Sequence, residues 1–152
     1  MSGAYIPLIK KLFPKAEIVL DRFHIVQHLS RAMMTIHIAI MKAFDKASLP
    51  YRAMKNHWRI LQKDSRKLSG KAFYSRTFRQ TLTPREMVQK TLDFSPELRY
   101  SYELYQLLLF HFQEKRSPEF FGLIQDNLEQ VNPTFSRVFR TFLSICLTSP
   151  MP

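Results

Sequence analysis

Four times in the second half of this chain a side chain able to cap a helix stands directly before a proline: Thr83-Pro84, Ser95-Pro96, Ser117-Pro118 and Asn132-Pro133. Ser, Thr and Asn accept hydrogen bonds from the orphan N–H groups of a first helical turn. A proline just inside that turn loses no bond, and its φ is already set for the helix. Glu86, three residues after Thr83, completes a capping box. The rhythm predicts helices over roughly 84–92, 96–114, 118–129 and 133–147, and their short connections imply antiparallel neighbours. The second is apolar nearly all round (Leu98, Tyr102, Tyr105, Leu108, Phe112), as suits a central buried helix or an interface. Only three glycines occur, which argues against a turn-rich sheet, and 45% hydrophobic residues suffice for a core. The fold class is therefore mainly α.

The first third reads differently. Residues 5–13 are helical by pattern, with Tyr5, Leu8, Ile9 and Leu12 on one side, and Pro14 is expected to end them. Ile18, Val19 and Leu20 form a short apolar run that reads as a buried strand over 17–20. Asp21 stops it and can cap a long helix from Arg22 to about Lys46, marked by Val26, Leu29, Met33, Ile36 and Ile40. A single strand cannot satisfy its own edges, so it would need partner strands that this chain lacks. His24 and His28 share one helix face beside Asp21, which brings three potential proton carriers or metal ligands together where a strand passes into a helix. The structural alternative is that Asp21 only caps and His24 bonds to it. Zinc would lack a fourth donor nearby, since Cys146 is alone and distant.

The net charge of +11 is concentrated. Residues 51–79 hold nine Lys/Arg against one Asp/Glu, whereas residues 80–152 hold seven against eight. Read as one helix over 51–68, this segment places Arg52, Lys55, Arg59, Lys63 and Arg66 within about 60° of one direction, over about 21 Å. Met54, Trp58, Leu61 and Leu68 then fall opposite. Lys67, Lys71, Arg76 and Arg79 extend the positive zone into a polar stretch around Ser69-Gly70, expected as loop or broken helix. Phe73, Tyr74 and Phe78 interleave aromatics that could stack on unpaired bases. The plain alternative is a solvated basic face with its aromatics in the core. So few acids nearby favour a polyanionic partner, DNA above all.

The run Tyr5-Ile6-Pro7-Leu8-Ile9-Lys10-Lys11-Leu12-Phe13-Pro14, followed by Ile18-Val19-Leu20-Asp21-Arg22-Phe23-His24-Ile25-Val26-Gln27-His28-Leu29, resembles the interior of bacterial insertion-sequence transposases of the ISL-three group. These are DDE (Asp-Asp-Glu) enzymes, and Asp21 to His24 matches the family's Asp-x-x-His signature. The resemblance implies an RNase H-like α/β core carrying a helical insertion. Residues 1–48 would be a strand-helix remnant of that core, 49–147 the helical insertion bundle, and 148–152 a tail outside the family pattern. It further implies DNA cleavage and strand transfer with magnesium ions (Mg2+) in the intact enzyme. The family's second catalytic aspartate is expected just before the Met1-Ser2-Gly3 segment, with Asp21 the other candidate. On this reading the chain is an internal fragment, inactive alone, needing no cofactor of its own. Its site residues would be Asp21 and His24 for the signature, and Arg52, Lys55, Arg59, Lys63, Arg66, Lys67 and Lys71 for DNA.

An alternative of another class is a non-enzymatic helical DNA-binding or regulatory module that pairs with itself or with an intact transposase. A third, a basic protein on an anionic membrane surface, is disfavoured because the basic helix carries few bulky apolar residues. One cysteine and no apolar run of membrane-spanning length place the expected location in the cytoplasm, with no membrane partner.

Overall fold

The first element of the described chain is a helix that begins at Pro14. The computed structural model describes the backbone of residues 14–148 and the side chains of residues 24–144. In it α1 runs unbroken over Pro14–Lys42. The strand expected at 17–20 is therefore helical, and Asp21 is an interior helical residue rather than a cap. A helix satisfies its backbone within itself, whereas a lone strand leaves both edges open. Against that, the helix penalty of Ile and Val is only about 0.5 kcal/mol per residue. The helix expected over 5–13 lies outside the described residues.

The single helix expected over 51–68 is also corrected. The backbone forms α2 (Leu49–Asn56), α3 (Trp58–Gln62) and a 3₁₀ turn (Ser65–Lys67). Ser48 caps α2, its Oγ accepting from the Tyr51 N–H. His57 separates α2 from α3 with φ −112° and ψ 16°, and Lys63 leaves α3 extended. Where loop or broken helix was expected, β1 (Phe73–Ser75) and β2 (Gln80–Leu82) pair antiparallel, Phe73 opposite Leu82, Tyr74 opposite Thr81 and Ser75 opposite Gln80.

The proline-led helices follow as α4 (Pro84–Leu92), α5 (Pro96–Gln113), α6 (Ser117–Asn127) and α7 (Pro133–Thr148). Their caps are visible as bonds. The Glu86 N–H donates to Thr83 Oγ1 at 3.2 Å while the Thr83 N–H donates to Glu86 Oε1 at 3.0 Å. The Leu98 N–H donates to Ser95 Oγ at 3.1 Å, and the Thr134 N–H to Asn132 Oδ1 at 2.9 Å. Ser117 departs from the pattern: α6 already includes it, and its cap residue, Arg116, makes no side-chain cap bond.

The chain divides into two units, Met33–Phe110 and the described parts of 1–32 with 111–152. In the first, Met33, Ile36, Met54, Leu61, Leu92 and Tyr105 are fully enclosed. His37, 3% exposed, joins its Nε2 to the Met54 carbonyl at 2.7 Å and so pins α1 to α2. From α5, the Tyr105 hydroxyl donates to the Gln62 carbonyl at 2.7 Å and Gln106 Nε2 to the Lys63 carbonyl at 2.9 Å. Gln106 Oε1 also accepts from the Ser65 N–H at 2.9 Å. These bonds hold the end of α3 in place although no regular ladder continues there. In the second unit, Phe120 meets Phe112, Phe121 and Phe142 at ring separations of 5.3–6.1 Å. Phe135 stacks on Phe139 in the same core.

Candidate nucleic-acid interface

The breaks in the basic segment decide what its cations can do. Arg52, Lys55, Arg59, Lys63, Arg66, Lys67 and Lys71 are all exposed, but they are delivered by two short helices, a 3₁₀ turn and a loop rather than by one straight face. They are therefore separate exposed positions, not the continuous stripe that one helix would give.

One of the seven is already paired with an acid. Arg66 donates from Nε to Asp64 Oδ1 at 3.2 Å and from a terminal nitrogen to Asp64 Oδ2 at 3.0 Å, a two-pronged ion pair. Its guanidinium also lies 5.0 Å from the Phe110 ring centroid. The hydrogen bonds from Arg66 hold the buried Asp64 carboxyl below the usual carboxylate range. Asp64 is the sole acid of residues 51–79, and it is spent on Arg66. The charge of Arg52, Lys55, Arg59, Lys63, Lys67 and Lys71 is consequently not offset by any acid of the same segment.

Trp58 corrects the expected apolar back of the helix. Met54 and Leu61 are buried, but Trp58 is 41% exposed, with the Arg59 guanidinium 5.2 Å from its ring. The aromatics that follow are divided in the same way. Phe78 stacks on His57 at 5.4 Å and 10° and lies parallel to Phe94 at 6.5 Å, with Lys90 Nζ 6.0 Å away, so it is a structural ring. Phe73 and Tyr74 stand out in solvent. Burial beside this stack lowers the His57 pKa.

The Asp-x-x-His element lies in the other unit. Asp21 is placed by its backbone alone, about one turn before His24 in α1. The His24 ring is 6.1 Å from that of His28 and tilted by 39°. His28 meets Phe142 edge-on at 6.3 Å, and its Nε2 is buried without a hydrogen-bond partner. Burial foremost lowers its pKa, and the charges of His24 and Arg31 act in the same direction. Among the described residues no three His, Cys, Asp or Glu side chains come together to hold an ion, so the magnesium ions of the implied chemistry are not assigned to them. Among the same residues no helix is long and apolar enough to cross a membrane.

The β1–β2 hairpin escaped sequence reasoning. Its four-residue turn lacks the Asn-Gly or Gly signals of common hairpins, and Arg79 takes the left-handed conformation with φ 56°. The available signal was the pair of aromatic and β-branched tracts around Phe73-Tyr74 and Thr81-Leu82.

The family model for DDE transposases of the ISL-three group, described as Transposase, matches residues 1–145. No curated protein and no solved structure matches the chain. The matched span takes in the basic segment, the hairpin and all but the last residues of α7. The chain belongs to the ISL-three family of transposases.

Proposed function

We propose that this chain serves DNA transposition by holding duplex DNA through its phosphates, using the exposed cations of the Met33–Phe110 unit. One observation carries the reading: six exposed cations lie within twenty residues whose only acid is occupied by Arg66. Lys and Arg side chains on separate short elements suit a backbone that presents a phosphate at every step. No arrangement of donors here resembles a base-reading code. In the family, cleavage and strand transfer are the work of a DDE centre on an RNase H-like core with magnesium ions, in the bacterial cytoplasm. The reading gives Asp21 and His24 no part in the phosphate contact.

The test is the salt dependence of duplex binding. Each phosphate neutralised contributes about 0.9 to the slope of log K against log salt. Changing Arg52, Lys55, Arg59 and Lys67 together to Ala is expected to flatten that slope by up to about 3.6. Arg66 is left intact because its loss would orphan Asp64 and confuse folding with binding. A folded quadruple variant with unchanged affinity and slope would refute the proposal.

A further inference from the structure

Tyr74 is 61% and Phe73 54% exposed, the two most exposed large apolar side chains among the described residues. They are neighbours on β1 and so lie on opposite faces of the ribbon. Tyr74 shares the outer face with its exposed partner Thr81. Phe73 shares the inner face with buried Ser75 and Leu82 but stands at its margin.

The ribbon beneath them is fixed. Asn56 Nδ2 donates to Thr77 Oγ1 at 3.0 Å, tying the turn to the end of α2. The Phe78 N–H donates to Ser75 Oγ at 3.1 Å, and the Phe78 ring is stacked on His57. Three anchors at the turn leave two rings out of the core on a held scaffold. Leaving such rings in water forgoes favourable burial, and the neighbouring Phe78, half-buried against His57, shows that a ring of this hairpin can be covered. The surroundings are cationic: Lys71, Arg76 and Arg79 are exposed, and the chain carries no Asp or Glu from Ser65 to Arg85.

Held aromatic faces within a purely basic stretch match unpaired nucleotides, whose bases stack on rings while their phosphates meet the cations. Paired bases are already stacked on one another and have no face to offer. An apolar protein surface would gain nothing from the surrounding charge. We propose that Phe73 and Tyr74 form a two-sided stacking platform for single-stranded DNA, one ring on each face of the ribbon, distinct in role from the cations that hold duplex phosphates. The proposal rests on the DNA-binding reading above.

The experiment measures fluorescence anisotropy of labelled oligo(dT) and of a blunt duplex with the full chain and two sets of variants. The Phe73→Ala/Tyr74→Ala pair is expected to bind oligo(dT) at least about tenfold more weakly, as stacking energies imply. Its duplex affinity and its salt slope should change less than about twofold, since no phosphate contact is removed. Tyr74→Phe, which keeps the ring, should bind oligo(dT) like the parent chain, and the Ala pair should keep its helical circular dichroism because both rings are exposed. Oligo(dT) affinity unchanged in the Ala pair, with duplex binding still dependent on Arg52, Lys55, Arg59 and Lys67, would overturn the platform and leave the phosphate reading standing. Duplex binding indifferent to those four cations, with oligo(dT) binding lost in the Ala pair, would uphold the platform and overturn the phosphate reading. Failure of the parent chain to bind either DNA would overturn both.

Discussion

Replacing His37 with Ala should cost about 3–5 kcal/mol, and the sum can be worked from two losses. The imidazole is 3% exposed and its Nε2 lies 2.7 Å from the Met54 carbonyl. Removing the donor leaves a buried acceptor unpaired, at about 1–3 kcal/mol. Removing the ring leaves a void at a 3% exposed position, for which about 2 kcal/mol is the lower end for a large-to-small core change. His37→Gln keeps a donor of similar reach and should cost only about 1 kcal/mol, the net worth of one ordinary hydrogen bond. Trp58 lies in the same unit, so urea unfolding followed by tryptophan fluorescence reads out Met33–Phe110 directly. The pH dependence provides an independent check. Burial lowers the His37 pKa below its ordinary 6.5, and the bond to Met54 opposes this only in part. The unfolded chain therefore binds the extra proton first, so stability is full above about pH 6.5 and declines as the pH falls through the lowered folded value. His28 and His57 are shifted in the same direction by burial, so His37→Gln should reduce the acid loss without abolishing it. An Ala variant within about 0.5 kcal/mol of the parent, or a Gln variant with undiminished acid loss, would refute this account of the α1–α2 joint.

Two further outcomes follow from caps. Thr83→Ala removes one side of the capping box of α4 and should lower stability by about 1 kcal/mol in the same urea titration. Lys115 holds the left-handed position after α5, with the Arg116 N–H bonded to the His111 carbonyl at 2.8 Å and the Lys115 N–H to Phe112 at 3.2 Å. Lys115→Gly should therefore raise stability by about 1 kcal/mol, seen as a higher melting temperature by circular dichroism.

What could be read from the sequence was local chemistry. Thr83, Ser95 and Asn132 act on amides two or three residues away, so the starts of α4, α5 and α7 were visible without knowing the fold. Arg116 shows the limit, because the start of α6 is set by the αL turn that precedes it, which Lys115 does not announce. Ile18-Val19-Leu20 suits strand or helix equally, and the choice fell to the backbone's need for partners. The break at His57 was invisible because its cause is remote: the His57 ring stacks on Phe78, and the Gln62 and Lys63 carbonyls are taken by α5. The same break turned Trp58 outward. For the candidate interface, the charge of residues 51–79 was legible, whereas the loss of Arg66 to Asp64 and the separation of Phe78 from Phe73 and Tyr74 depended on tertiary contacts.

Lysine labelling with an amine-reactive reagent, read by mass spectrometry with and without duplex DNA at low salt, tests the phosphate-binding claim most directly. Lys55, Lys63, Lys67 and Lys71 are exposed in the free chain and should become protected when duplex is added, while exposed Lys115 in the other unit should label equally in both samples. Protection of Lys115 with those four lysines unchanged would contradict the account.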